Sequence, residues 1–115
     1  MAAPGNFDVL TRRDPTGLVV VPRGEIDLAT VDLVRDAVDN EHQPGEVVVL
    51  DLREVAFMDT SGLRYVLELT ERGDREGFGL RLVRGPSAVQ RVFEVSGLAP
   101  RLPFVDEPSQ APPER

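Results

Sequence analysis

Short β-branched runs alternate along this chain with longer stretches in which apolar residues recur three and four positions apart, and Gly- and Pro-containing breaks separate the two. Phe7 and Val9 flank Asp8, Asp14-Pro15-Thr16-Gly17 is a turn signal, and Leu18 to Val21 is a β-branched run, which together predict a two-stranded hairpin. Val31, Leu33, Val34, Ala37 and Val38 follow Thr30 at helical spacing until Pro44-Gly45, so a helix is predicted over 30–42 with Thr30 as its N-cap. Val47 to Leu50 lacks the alternation of a half-solvated strand and reads as a central strand covered on both faces.

A second helix is predicted just after Asp59-Thr60-Ser61, with Leu63, Val66, Leu67 and Thr70 on one side, ending near Gly73 or Gly77. Leu80 and Leu82 about Arg81 form a short strand. Pro86 opens a third helix whose stripe is Val89, Val92 and Phe93 and whose stop is Gly97. Phe104-Val105 adds an edge strand. The order β-β-α-β-α-β-α-β belongs to an α/β fold with a mixed, mostly parallel sheet and helices packed against it. One domain is expected at 7–106. The Pro-rich segments at 1–6 and 107–115 lack apolar periodicity and are expected to be disordered tails.

Composition narrows the chemistry. Leu, Ile, Val and Phe make up 36 of 115 residues, enough for a folded core. With no Cys and a single His, His42, neither a thiolate nor a multi-histidine metal site can be built, and no disulfide can form. All 13 basic residues are Arg, which removes P-loop, Schiff-base and lysine-dependent phosphotransfer mechanisms. A net charge of -7 argues against nucleic acid as a partner. The apolar runs are too short to span a bilayer, so no direct membrane insertion is expected and a cytoplasmic location fits.

Reactive or binding groups in such sheets gather where strands lead into helices. Two junctions stand out: Gly24-Glu25-Ile26-Asp27 and Phe57-Met58-Asp59-Thr60-Ser61-Gly62-Leu63. At the second, Asp59, Thr60 and Ser61 can each cap a helix. Gly62 removes a side chain that would shield Ser61, and a phosphate placed there would lie near helix N–H groups. Asp27 reads equally as a turn carboxylate before the first helix and as a group orienting the Ser61 loop or touching a partner. Asp51 and Asp59 do not make a magnesium pair, since no third carboxylate completes the site. His42, at a helix end, is explained by a charge–dipole interaction.

The run from Val47 to Leu63, with its Met58-Asp59-Thr60-Ser61-Gly62 centre, resembles the signature of STAS domains, and specifically of bacterial anti-sigma factor antagonists. Gly24-Glu25-Ile26-Asp27 resembles an earlier motif of that family, and Val92 to Leu98 its closing helix and loop. The resemblance implies a STAS fold and a non-enzymatic binding module with no cofactor of its own. It implies as partners an anti-sigma factor that is also a serine kinase and a separate metal-dependent serine phosphatase. Binding releases the sigma factor; phosphorylation ends it. The phosphorylated hydroxyl falls on Ser61, with Thr60 as the alternative, and the contact surface on Asp27, Asp59, Thr60, Ser61 and Gly62. The rival reading within the family is an accessory subunit of an ABC-type membrane transport assembly. A receiver module with an Asp acceptor is disfavoured by the absence of Lys.

Overall fold

A computed structural model describes residues 7–111 of the chain. Its strands are β1 (Asp8–Asp14), β2 (Gly17–Ile26), β3 (Val48–Asp51), β4 (Val55–Met58), β5 (Leu80–Val83) and β6 (Phe104–Val105). The helices are α1 (Val31–Glu41), α2 (Thr60–Glu76) and α3 (Ser87–Ser96), and a 3-10 turn, Ala99–Arg101, precedes β6. The main sheet runs β1-β2-β3-β5-β6, antiparallel at β1–β2 and parallel elsewhere, which is the mixed sheet the pattern predicts. The N-terminal tail expected at 1–6, and residues 112–115, lie outside the described residues. Residues 107–111, assigned to the C-terminal tail by sequence, include a turn in which the Gln110 N–H donates to the Glu107 carbonyl at 3.1 Å and the Gln110 side chain accepts from the Asp106 N–H at 2.7 Å.

The sequence pattern misses β4, reading Phe57-Met58 as part of a loop. One edge of β2 is shared between two partners: Leu18 to Val20 pair with Val48 to Leu50, while Gly24, Glu25 and Ile26 pair with Val55, Phe57 and Met58. The second pairing skips Ala56, a bulge that breaks the period-two alternation by which a strand is recognised. Gly24 carries the strand across this junction at φ 112°, a conformation that favours glycine, and its N–H donates to the Glu54 carbonyl at 3.1 Å.

Leu18, Val20, Val48, Leu50, Leu80 and Leu82 point from the sheet into one core. All three helices pack there, through Val31, Val34 and Val38, through Tyr65, Val66 and Leu69, and through Val89 and Phe93. The other sheet face holds a separate cluster of Val19, Val21, Val49, Val83 and Val105, to which no helix contributes. In register, Arg12 stands beside Val19 and Arg81 beside Val49, so aliphatic arginine stems cover valines on this side. Arg81 also donates to the Pro108 carbonyl at 3.4 Å, tying the post-β6 turn to the sheet.

The helix ends fall where their residues place them. Gly77 and Gly97 stop α2 and α3 in the left-handed conformation. Gly73 lies inside α2, pressed against Phe78. Pro86 is the N-cap of α3 rather than its first helical residue. The second half of α2 carries Arg72, which pairs with Glu76 at 3.2 Å and across to Asp39 of α1 at 2.6 Å.

Tyr65 is 3% exposed, and its hydroxyl has no hydrogen-bond partner among the described residues. The Arg35 guanidinium lies 5.0 Å from its ring centroid while pairing with Asp32 and Glu68. Burial, reinforced by the charge of Asp39, pushes the phenol well above its ordinary value. A pKa higher in the folded than in the unfolded state gives stability that is intact below the unfolded pKa of about 10 and is lost as pH rises beyond it. Tyr65→Phe is therefore expected to be at least as stable as wild type at neutral pH, because an unpaired buried hydroxyl costs about 1–3 kcal/mol. It should also shed the tyrosine's share of the alkaline loss. Urea titrations of both proteins at about pH 7 and about pH 11 measure the two effects; a variant less stable at pH 7 would contradict the first.

Candidate functional site

The two loops singled out in the sequence meet at the carboxyl ends of β2 and β4. Ile26 pairs with Met58, and the Asp59 N–H donates to the Ile26 carbonyl at 3.1 Å, so Asp27 and Asp59 leave adjacent strand ends. This is the position at which open α/β sheets place ligands and partners.

In the first loop the Asp27 carboxylate accepts from the N–H groups of Ala29 at 2.9 Å and Thr30 at 3.1 Å, and its carbonyl accepts from Val31 at 2.9 Å. Thr30 is buried; its hydroxyl donates to the Glu25 carbonyl at 2.7 Å and accepts from the Asp27 N–H at 2.9 Å. Thr30 is the N-cap residue of α1, as expected, but its side chain makes no capping bond. Its hydroxyl turns back to close the strand end, leaving Asp27 to satisfy the amides of the turn. The hydrogen bonds of Asp27 are those of a turn carboxylate. The loop also holds Leu28 outward, 79% exposed.

At the start of α2, Asp59 is the cap among the three candidates: its Oδ1 accepts from the Ser61 N–H at 2.8 Å. Its carbonyl accepts from Gly62 at 3.1 Å and from Leu63 at 3.4 Å. The amides of Ser61, Gly62 and Leu63 are therefore already engaged. A phosphate on Ser61, expected to lie near helix N–H groups, would find these three already taken. Thr60 is exposed and Ser61 half-buried.

Gly62 is buried. A Cβ there would lie 2.3 Å from Met58 Cγ, 2.6 Å from its sulfur and 3.1 Å from Ile26 Cγ2. Glycine is demanded by the close seating of α2 on the ends of β2 and β4, and not, as the sequence suggested, by access to Ser61 from outside.

The remaining acid and histidine have structural partners. Asp51, almost fully buried, receives Arg53 Nη2 at 2.8 Å, Arg53 Nε at 3.0 Å and the Arg53 N–H at 3.1 Å. No group of three or more His, Cys, Asp or Glu among the described residues could hold a metal ion. His42 Nε2 lies 2.9 Å from the Glu46 carbonyl, and its ring centroid is 4.4 Å from that of Phe78, so a hydrogen bond and ring packing hold it beyond the helix-end interaction expected. No helix among the described residues is long and apolar enough to cross a membrane.

Residues 7–111 match the STAS domain family. The chain is 32% identical over 91 residues to an anti-sigma F factor antagonist of Paenibacillus polymyxa, covering 77% of this chain and 78% of the relative. It superposes on the crystal structure of an anti-sigma factor antagonist from Mycobacterium paratuberculosis with a TM-score of 0.79 and 25% identity, over 93% of this chain and 92% of that one. The fold is also that of the anti-sigma factor antagonist SpoIIAA in its unphosphorylated form, with a TM-score of 0.67 and 22% identity over 87% of this chain and 90% of that one. Proteins of this kind are regulatory binding proteins rather than enzymes. A match running the length of the described fold, together with so similar a relative, makes this chain a member of the STAS domain family.

Proposed function

We propose that this chain is a cytoplasmic anti-sigma factor antagonist gated by phosphorylation of Ser61. Unphosphorylated, it binds an anti-sigma factor that is also a serine kinase and so frees the sigma factor. Transfer of the γ-phosphoryl group of ATP to the Ser61 oxygen, with release of ADP and the hydroxyl proton, ends the interaction, and a metal-dependent serine phosphatase restores it by hydrolysing the ester to serine and inorganic phosphate. Asp27, Asp59, Thr60, Ser61 and Gly62 mark the contact region, with Gly62 acting from beneath. The observation that carries this reading is the place of Ser61, a half-buried hydroxyl in the first turn of α2 beside the Asp27 loop, in a chain 32% identical to an anti-sigma F factor antagonist.

The cap determines how a phosphate would act. Phosphorylation adds about -1.5 to -2 charges, and the Asp59 carboxylate already occupies the amide that could have received them. At an effective dielectric of ~20, one pair of like charges at ~4 Å costs about 4 kcal/mol, whereas a helix N-terminus returns only about 0.3–1 kcal/mol. Repulsion wins, and the phosphate turns outward onto the surface that the partner uses. The cap itself is worth only about 1 kcal/mol, so the fold persists and the switch acts by exclusion.

Incubation with the cognate anti-sigma kinase and Mg-ATP should add one phosphate, placed at Ser61 by tandem mass spectrometry. A phosphate found solely on Thr60 would overturn the assignment, and modification of neither hydroxyl would favour the transport-subunit reading. Calorimetry should show the phosphorylated form binding more weakly by about tenfold or more, because a bulky dianion must be accommodated in a surface formed around a neutral hydroxyl. Ser61→Ala should stay bound in the presence of ATP, and Ser61→Glu should bind more weakly than wild type; equal affinity of the two wild-type forms would sink the switch.

Asp59→Ala should lower the free energy of unfolding by about 1 kcal/mol, while Asp59→Asn, which can still accept from the Ser61 N–H, should lose less. Urea titration compares them. Unchanged stability of the alanine variant would show that the cap contributes nothing.

A further inference from the structure

Leu28 has no task in the fold. It is 79% exposed, yet the loop that carries it is tied on both sides of it: the Asp27 carboxylate holds the Ala29 and Thr30 N–H groups, and the Thr30 hydroxyl bridges the Glu25 carbonyl and the Asp27 N–H. A large apolar side chain is thus kept in water on a pre-ordered support, where binding would cost little further ordering.

Other exposed apolar residues have different settings. Leu10 stands beside Val21 on the valine face, Phe57 alternates with Met58 and so faces away from α2, and Val95 lies near the end of α3. Leu33, less exposed at 40%, stands in the first turn of α1, so of the five exposed large apolar residues Leu28 alone belongs to a loop leaving a strand end next to that of Asp59 and Ser61. Its surroundings are acidic: Glu25, Asp27 and Asp59 lie at the same end of the strands, with Arg64 the cation one turn into α2.

We propose that Leu28 is the apolar anchor by which the chain seats in its partner, entering an apolar pocket rimmed by cationic side chains next to the site that phosphorylates Ser61. The inference rests on the Ser61 reading above. The acidic ring sets the sign of the rim, and the hydroxyl fixes which partner must come close, because a kinase that reaches Ser61 meets the adjacent loop. An apolar residue at the centre of polar ones, desolvated on contact, is the arrangement that concentrates binding energy.

The test is calorimetry of full-length variants against the purified anti-sigma kinase that phosphorylates Ser61. Leu28→Ser should weaken binding about tenfold or more, with a thermal midpoint close to that of wild type because no packing is lost. Leu28→Met should bind nearly as wild type, and Val95→Ser, equally exposed at 79%, should stay within about twofold. Leu28→Arg should bind more weakly than Leu28→Glu; the reverse order overturns the cationic rim. If Leu28→Ser binds as tightly as wild type and the kinase still modifies Ser61, the anchor is wrong and the phosphorylation switch stands. If no kinase modifies Ser61, both fall together.

Discussion

The arrangement turns on the unequal demands made of β2. One edge pairs with β1 from Gly17 to Arg23, and the other is divided between β3 and β4. Had β3 run the whole length of that edge, the chain would have passed the end of β2 without stopping beside it. The division at Gly24 instead lets a separate short strand arrive there, bringing Ile26 against Met58 and the Asp59 N–H to the Ile26 carbonyl. The two acidic loops are neighbours for that reason, and the seat of Gly62 on Met58 and Ile26 sets how closely α2 can approach.

The two faces of the sheet are stabilised differently. On one side, helices supply Leu, Val, Tyr and Phe to a continuous core. On the other, a compact row of valines is covered in part by arginine stems, and the head of Arg12 pairs with Asp14 at the rim. Such exposed pairs contribute little individually, so this cover works mainly through its aliphatic portion. Arginine also brings a guanidinium that stacks, as Arg84 does 5.3 Å from the Phe104 ring centroid.

The three helices were legible because their apolar positions repeat at a fixed period, and the hairpin and the central strand because their β-branched runs are bounded by turn residues. The fourth strand was not, since a bulge at Ala56 removes the period itself. At the start of α1 both Asp27 and Thr30 are residue types that cap, and the choice between them depends on the Glu25 carbonyl, which becomes available to Thr30 only in the folded turn. Around Ser61 the residue types were readable while their causes were not: Gly62 looks outward in sequence and inward in space, and Asp59, one of three equivalent candidates by type, is singled out by backbone geometry. Leu28 could not be recognised at all. In a string of letters an apolar residue before a helix is indistinguishable from a core residue, and exposure is a property of the assembled sheet.

The divided pairing of β2 also orders events in time. The β1–β2 hairpin closes through the tight turn at Pro15-Thr16, an event of about 1–10 μs for hairpins in general. Ile26 and Met58 meet only after the chain has travelled through α1 and β3, a parallel, non-local pairing of the kind that forms late. A chain caught with its hairpin made and β4 still free has both acidic loops in sequence but not side by side, so it cannot compete for whatever the finished surface binds. Assembly of the recognition surface is in this way a report that the sheet beneath it is complete.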